Sequence, residues 1–183
     1  MTYEQEFIQI LQLRRPVIED LKHIRSLNLP HGCIAAGYVR NTIWDHLHHY
    51  PHQTLLNDVD VLYFDPDELS EETEKECEIQ LKQQRPEYNW SVKNQARMHL
   101  RNNDAPYRSV EDAMKRWPET ATAVGVQMDA NGAFHVIAPF GLDDLFELNV
   151  RKSPYFKDLK TFDERIITKK WLERWPKLQI FVD

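Results

Sequence analysis

The 183-residue chain is poor in cysteine and glycine and has no long hydrophobic run. Its two cysteines, Cys33 and Cys77, do not make a disulfide framework, and no Cys-x-x-Cys or Cys/His zinc spacing is present. No apolar run approaches the roughly 20 residues that a membrane helix needs, and the acidic, amphipathic N-terminus is atypical of a signal peptide. We therefore expect a cytoplasmic protein with no membrane partner.

The chain also has fewer basic than acidic residues. The chain has 23 Lys and Arg against 29 Asp and Glu, a formal net charge of −6. Proteins that coat nucleic acid draw their affinity from clustered Lys and Arg, so we expect no DNA partner, although a local basic groove is compatible with this composition. The length is sufficient to bury a core without metal or disulfides, and we expect a single domain over residues 1–183.

Residues 33–65 carry the most informative pattern. The apolar run Cys33-Ile34-Ala35-Ala36 stops at Gly37, after which apolar residues recur at helical spacing. This order predicts a strand that leads into a helix through a turn of small residues. A helix that starts at a glycine offers unpaired backbone N–H groups to an anion.

The second half of this segment contains two acids in a strand-like sequence, DVDVLYF. Its β-branched and aromatic residues predict a buried strand. Because strand side chains alternate, Asp58 and Asp60 are expected on one face of the sheet and Val59 and Val61 on the other. Two close carboxylates repel each other, so the pair favours a cation between them.

The rest of the chain predicts a mixture of helices and strands. Helices are expected before residue 33 (two of them), over 70–85, over 109–117 and over 156–175. Strands are expected at 88–92 and 145–150, with a hairpin formed by 120–128 and 134–138 around Asn131-Gly132. The order predicts an α+β fold with one mixed sheet, helices packed mainly on one face and the other face partly open.

Two motifs in residues 33–65 resemble those of a known superfamily. Ala36-Gly37-Tyr38-Val39-Arg40-Asn41, followed by Asp58-Val59-Asp60-Val61, is similar to the Gly-Gly-x-Val-Arg-Asp and Asp-x-Asp pattern of polymerase-β-like nucleotidyltransferases, in particular the head domain of tRNA CCA-adding enzymes. Stretches at 94–99, 118–123 and 138–145 resemble a bacterial family of small stand-alone predicted nucleotidyltransferases, so the similarity covers most of the chain. The resemblance implies the nucleotidyltransferase fold.

The resemblance also implies an activity, transfer of a nucleoside monophosphate from an NTP to a hydroxyl with release of pyrophosphate. Asp58 and Asp60 are the expected catalytic residues and ligands of Mg²⁺ or Mn²⁺, since Mg²⁺ is usually held by one or two carboxylates plus substrate phosphates. Gly37 and Arg40 are the expected phosphate-binding residues. The acceptor stays open between a small molecule, a protein hydroxyl and an RNA end.

Several assignments have alternatives. Glu147, on the predicted strand 145–150, is the candidate third metal ligand, and Arg97 is either a nucleotide-binding residue or part of a structural salt bridge. Ala36 and Asn41 replace the usual Gly and Asp, and no third acid is obvious. These departures favour the alternative of a catalytically degenerate fold that binds a nucleotide or a partner without turnover.

A group of histidines lies between the predicted helix and the acid-bearing strand. The spacing of two of them by one helical turn is compatible with a transition-metal site. A solvated loop is the other interpretation, and we favour it. The four residues are His46, His48, His49 and His52.

Overall fold

The computed structural model describes residues 1–181. The helices are α1 (Tyr3–Gln12), α2 (Arg15–Ser26), α3 (Gly37–Leu47), α4 (Glu71–Gln84), α5 (Gln95–Asn102), α6 (Val110–Met114), α7 (Asp143–Phe146), α8 (Leu159–Lys169) and α9 (Trp171–Arg174), with a 3-10 turn at Thr120–Thr122. The strands are β1 (Cys33–Ala35), β2 (Val59–Tyr63), β3 (Trp90–Asn94), β4 (Gly125–Met128), β5 (Phe134–Ile137), β6 (Asn149–Arg151) and β7 (Gln179–Phe181). None of the helices in this part of the chain is both long and apolar enough to cross a bilayer.

Five strands form one mixed sheet in the order β3-β2-β1-β4-β5. Strand β1 is antiparallel to both β2 and β4, β2 is parallel to β3, and β4 and β5 form the expected hairpin. Strands β6 and β7 pair in parallel as a separate two-stranded sheet. The α+β class and the mixed sheet are therefore confirmed.

The expectation that residues 145–150 form a strand of the main sheet is wrong. Leu145 and Phe146 are both buried in the helix α7, and strand β6 begins only at Asn149. A short alternating apolar run does not distinguish a strand from a single helical turn. Here the helical turn is favoured because it packs on α3, where the indole N–H of Trp44 donates to the carbonyl of Leu145 at 3.2 Å.

The predicted helix over 156–175 is divided into two. Helix α8 ends at Lys169, and Lys170 adopts a left-handed conformation with φ of 52°. The change of direction allows α9 and the residue after it to bury Trp171 and Trp175 in the core. Packing of these two indoles therefore overrides the continuous helical spacing.

The two faces of the main sheet are covered unequally. The larger core lies between the sheet and helices α1 to α4, and Val59 and Val61 of β2 point into it. On the opposite face, Ala35 and Leu62 pack in a smaller cluster with Met114 of α6. Because this cluster covers only part of that face, the sheet stays open beside the middle of β2.

Candidate active site

Asp60 lies on the partly open face of the sheet, as its spacing from Val59 and Val61 predicts. It is paired with Ala35 of β1 and with Ser91 of β3. Paired residues on neighbouring strands share a face, so small side chains flank Asp60 on both sides. The space over Asp60 is left open, and two cavities meet there.

Asp58 lies one residue before β2 and is exposed, whereas Asp60 is half-buried. Burial, together with the negative charge of Asp58, raises the pKa of Asp60 to about 6. Three other buried acids in the described structure are paired with arginines, Asp20 with Arg85, Glu74 with Arg97 and Glu119 with Arg165, and a fourth, Asp45, is hydrogen-bonded to Thr54 and Trp175. Asp58 and Asp60 form no salt bridge with another residue within 1–181, so no ion pair in the described chain neutralises them.

A small cavity of about 180 Å³ brings the two acids together with the other predicted residues. It lies where the start of α3, the loop before β2 and helices α8 and α9 meet. Four of the predicted site residues line it, namely Gly37, Arg40, Asp58 and Asp60.

The turn between β1 and α3 has its unusual backbone geometry at Ala36 and not at Gly37. Ala36 has φ of 55° and ψ of −129°, a conformation that favours glycine, and its N–H donates to the carbonyl of Val124 at 2.9 Å. Gly37 is the first residue of α3, and no side chain caps this helix. The first-turn N–H groups of α3 thus remain available to an anion beside the acids.

Arg40 is buried and held in one orientation. Its Nη1 donates to Thr122 Oγ1 at 2.7 Å, and its Nε and Nη2 donate to Asn41 Oδ1 at 3.2 and 2.9 Å. The guanidinium also lies over the rings of Trp44 and Trp171, at 5.0 and 4.6 Å from their centroids. Burial lowers the pKa of Arg40 to about 10, so it is still a cation at neutral pH. Arg40 is therefore a fixed positive charge in the cavity wall.

Asp45 of α3 was not anticipated from the sequence, yet it holds the loop and the C-terminal helices in place. Its fully buried carboxylate accepts hydrogen bonds from the N–H and Oγ1 of Thr54, at 2.7 and 2.6 Å, and from Trp175 Nε1, at 2.8 Å. The Thr54 bonds fix the loop that leads to Asp58, and the Trp175 bond fixes the segment after α9. The sequence pattern does not mark Asp45 as buried.

Three cations in the small cavity were also missed. Arg165 and Lys169 come from α8 and Arg174 from α9. Their spacing of four places Arg165 and Lys169 on the same side of the helix, which is a signal that the sequence does contain. The spacing does not reveal that this side meets the acids of β2.

Two predicted site residues are not in either cavity. Arg97 binds Glu74 through Nε and Nη2, at 2.8 and 2.6 Å, and Glu71 through Nη1 at 3.0 Å. This is the structural salt bridge that was the alternative for Arg97. Glu147 is exposed at the end of α7 and accepts a hydrogen bond from Asn149 Nδ2 at 3.2 Å. The structure therefore does not bring Arg97 or Glu147 to the acid pair.

The histidine-rich loop supplies a structural contact. His48 is buried, with Nδ1 2.8 Å from the carbonyl oxygen of Trp44, and its Nε2 accepts from the N–H of Lys177 at 3.1 Å. Over residues 1–181, no group of three or more His, Cys, Asp or Glu side chains is arranged to hold a metal ion. A metal hypothesis for the described structure therefore depends on Asp58 and Asp60 together with a substrate.

Comparison with known proteins defines the class to which this fold and site belong. The model of a protein family described as nucleotidyltransferase matches residues 22–180, and the chain belongs to this family. It is also 34% identical to a protein whose NMR structure is described as a CCA-adding enzyme head domain, with a TM-score of 0.83. That match covers 98% of this chain and 96% of the other. A comparison with curated proteins found no match.

More distant structures share the fold. A CCA-adding enzyme in complex with CTP is 13% identical with a TM-score of 0.60, over 95% of this chain and 43% of that one. A Thermotoga maritima CCA-adding enzyme in complex with tRNA is 14% identical with a TM-score of 0.60, over 96% of this chain and 42% of that one. The chain thus spans less than half the length of these two enzymes.

Proposed function

We propose that the protein transfers a nucleoside monophosphate from an NTP to an acceptor hydroxyl and releases pyrophosphate. The observation that carries the proposal is that Asp58, Asp60, Gly37 and Arg40 all line the same small cavity. Membership in the nucleotidyltransferase family supports nucleotidyl transfer as the general activity.

In this proposal Asp58 and Asp60 hold Mg²⁺ or Mn²⁺. The two carboxylates suit such an ion, since they have no salt-bridge partner in the described chain and Mg²⁺ commonly takes one or two carboxylates with substrate phosphates. A bound cation would polarise phosphate oxygens and lower the pKa of an attacking hydroxyl. It would also relieve the repulsion between the two acids.

The triphosphate would bind at the start of α3. The uncapped N–H groups of the first helical turn attract anions, and the fixed guanidinium of Arg40 adds a charge at the same place. Arg165, Lys169 and Arg174 line the same cavity, and Arg165 is already paired with Glu119. Lys169 and Arg174 would balance part of the negative charge of the pyrophosphate that leaves.

The alternative, binding of a nucleotide without turnover, is favoured by one observation. The β3 residues paired with Asp60 and Leu62 are Ser91 and Lys93, so the neighbouring strand offers no third acid at these positions. The two functions differ in outcome, because a degenerate protein would bind an NTP and leave it intact.

Incubation with each α-³²P-labelled NTP, Mg²⁺ or Mn²⁺ and a cell extract tests the proposed activity. We expect label on an acceptor with the wild type, and at least a hundredfold less with Asp60→Asn, because the cation site is lost. Asp67→Asn is the matched control, since Asp67 is an exposed acid that lines neither cavity. Equal labelling by wild type and Asp60→Asn would contradict the proposal, and NTP binding without any labelling would favour the degenerate alternative.

Gly37→Ala tests the phosphate site. A Cβ at Gly37 would meet only Arg40 Nη2, at an ordinary 3.6 Å, and the residue is not at positive φ, so the variant should fold. The methyl group would nevertheless occupy space next to the N–H groups of α3. We expect a cooperative thermal transition like that of wild type but weaker NTP binding by calorimetry; unchanged binding would place the triphosphate elsewhere.

A further inference from the structure

The larger of the two cavities has a volume of about 700 Å³ and adjoins the small one at Asp60. Both cavities are lined by Ala36, Asp60, Thr122 and Arg165. The volume is within the range of pockets that enclose small organic ligands, roughly 300–1,000 Å³. The larger cavity therefore has room for a second ligand on the other side of Asp60 from a triphosphate bound in the small cavity.

The chemistry of nucleotidyl transfer makes this position significant. In an in-line displacement the attacking oxygen and the leaving oxygen lie on opposite sides of the phosphorus. If pyrophosphate leaves on the side of α3, the attacking hydroxyl must approach from the other side of the α-phosphate. The larger cavity, entered across Asp60, offers that approach.

The lining of the larger cavity is cationic although the whole protein has a net charge of −6. Two of its cations are already neutralised within the chain, Lys93 by Glu74 and Glu78, and Arg165 by Glu119. The remaining three, Arg101, Arg116 and Lys157, form no salt bridge with a described residue.

Three acids also line this cavity, Asp60, Asp104 and Asp158. Asp158 caps α8 by accepting from the N–H and Oγ1 of Thr161, and Asp104 accepts from the hydroxyl of Tyr107 at 2.9 Å. Both carboxylates are thus engaged in local structure. Neither these two carboxylates nor Asp60 form a salt bridge with Arg101, Arg116 or Lys157 in the described structure, so the three cations remain open to an anion from outside the chain.

Arg116 is the most informative residue in the wall of the larger cavity. Its Nε is buried and has no hydrogen-bond acceptor among residues 1–181, while its guanidinium lies over the ring of Tyr155 at 5.3 Å. An unsatisfied buried N–H is costly unless a ligand supplies the acceptor. A guanidinium is well matched to a carboxylate or phosphate, and the neighbouring Trp117 and Tyr155 offer apolar surface to the rest of such a molecule.

We propose that the larger cavity is the acceptor site and that the acceptor is a small anionic hydroxyl compound, bearing a phosphate or a carboxylate that Arg116 binds. This inference rests on the proposed function. In the reaction, the acceptor oxygen forms a bond to the α-phosphorus as the bond from that phosphorus to the bridging oxygen breaks. Pyrophosphate leaves with the electron pair, and the hydroxyl proton passes to solvent.

The test begins with binding in metal-free protein without nucleotide, so that it does not depend on nucleotidyl transfer. ¹⁵N-labelled wild type is titrated with ribose 5-phosphate, with glycerate and with neutral glycerol, while the Arg116 Nε–H and Trp117 indole signals are followed by NMR. We expect at least one of the two anions to shift both signals and glycerol to shift neither. Shifts that are equal for glycerol, or absent for both anions, would overturn the proposal.

Variants separate this site from the NTP site. We expect Arg116→Gln to weaken anion binding roughly ten- to a hundredfold, Arg116→Lys to restore part of it, and Arg15→Gln, a change at an exposed arginine outside both cavities, to have no effect. Mn²⁺-dependent NTP binding by Arg116→Gln should stay within twofold of wild type. Loss of NTP binding in this variant would mean that the cavity holds the nucleoside and would overturn the proposal.

Transfer of label completes the test. With α-³²P-labelled NTP and Mn²⁺, label should pass to an anion that shifts Arg116, and a short RNA with a free 3′-hydroxyl should not accept it. Label on the RNA alone, or bound anion that is never labelled by a protein that labels another acceptor, would overturn the proposal. Failure of the proposed function is recognised separately, because wild type would then label no acceptor at all, whether or not it binds an NTP, while the NMR result would stand.

Discussion

The candidate site joins two regions that differ in their charged residues and in how firmly they are anchored. Residues 33–60 supply the acids, the turn and the start of α3, all anchored in the larger core by neighbouring residues such as Val59 and Trp44. Residues 159–175 supply Arg165, Lys169 and Arg174 on short helices at the edge of the cavity. The first region therefore sets the geometry of the site, whereas the second mainly adjusts its charge. Substitutions in the first region should therefore have the larger effects.

Among the cations of the site, the largest effect is expected for Arg40, the buried cation of the first region. Arg40→Ala removes charge-assisted bonds worth about 1.5–3 kcal/mol, so Mg²⁺-dependent NTP binding should weaken about ten- to a hundredfold. Arg40→Lys keeps the positive charge but lacks the planar guanidinium. Its NTP affinity should therefore lie between those of wild type and Arg40→Ala. Calorimetric titration of variants that show a cooperative thermal transition is the measurement. If Arg40→Ala bound NTP as tightly as wild type, Arg40 would have no role in phosphate binding.

Asp60 should show a pH-dependent cost of folding in the absence of metal. Its folded pKa of about 6 lies above the usual value of 3.8, so the folded state binds more protons between pH 4 and pH 6 and the free energy of unfolding falls as pH rises through this window. Asp60→Asn lacks that cost and should be about 1–3 kcal/mol more stable at pH 7.5, with the difference shrinking towards pH 4.

Urea denaturation in EDTA from pH 4 to pH 7.5 measures this difference, with Asp67→Asn as the control. A difference that does not change with pH, or a less stable Asp60→Asn at pH 7.5, would show that Asp60 is not held as a destabilised carboxylate.

Ala36 and Gly37 allow a comparison within the turn itself. Ala36→Gly should raise the free energy of unfolding by about 0.5–2 kcal/mol, because relief of the positive φ exceeds the entropy cost of a new glycine. Gly37→Ala, at the first position of α3, should change stability by less than about 1 kcal/mol. Chemical denaturation of both variants measures the contrast, and a destabilised Ala36→Gly would rule out strain at this residue.

The smallest effect is expected in the second region. Lys169→Ala removes a half-buried cation from the cavity edge and should weaken NTP binding about two- to fivefold at low salt, with less effect at high salt. Lys160→Ala is the matched control, because Lys160 is exposed on the same helix and lies outside both cavities. Titration at two salt concentrations distinguishes the two variants. If Lys169→Ala and Lys160→Ala weakened NTP binding equally, α8 would contribute only through its overall charge.

The same two regions differ in how far their structure follows from the sequence. The β1-turn-α3-β2 unit was predicted because its apolar spacing is local, and the placement of Asp60 opposite Val59 and Val61 follows from the alternation of strand side chains. The position of the strained residue was not predicted, since φ at Ala36 depends on how β1 meets α3.

Long-range packing explains what the sequence did not show. The basic side of α8 reaches the acids only because Trp171 and Trp175 are buried against α3, which no local pattern indicates. Glu147 was expected on a sheet strand, but its segment is helical because Leu145 packs on Trp44. The salt bridge of Arg97 with Glu74 likewise depends on the docking of α4 beside β3.

Metal-dependent NTP binding is the most direct measurement of the central claim, that Asp58 and Asp60 hold the cation that binds an NTP at the start of α3. Calorimetric titration with ATP, CTP, GTP and UTP is carried out with and without Mn²⁺ for wild type, Asp58→Asn, Asp60→Asn and the control Asp67→Asn. The account predicts Mn²⁺-dependent binding of at least one NTP by wild type and Asp67→Asn, and a loss of at least tenfold in affinity in the other two variants. Equal Mn²⁺-dependent affinity in all four proteins would contradict it.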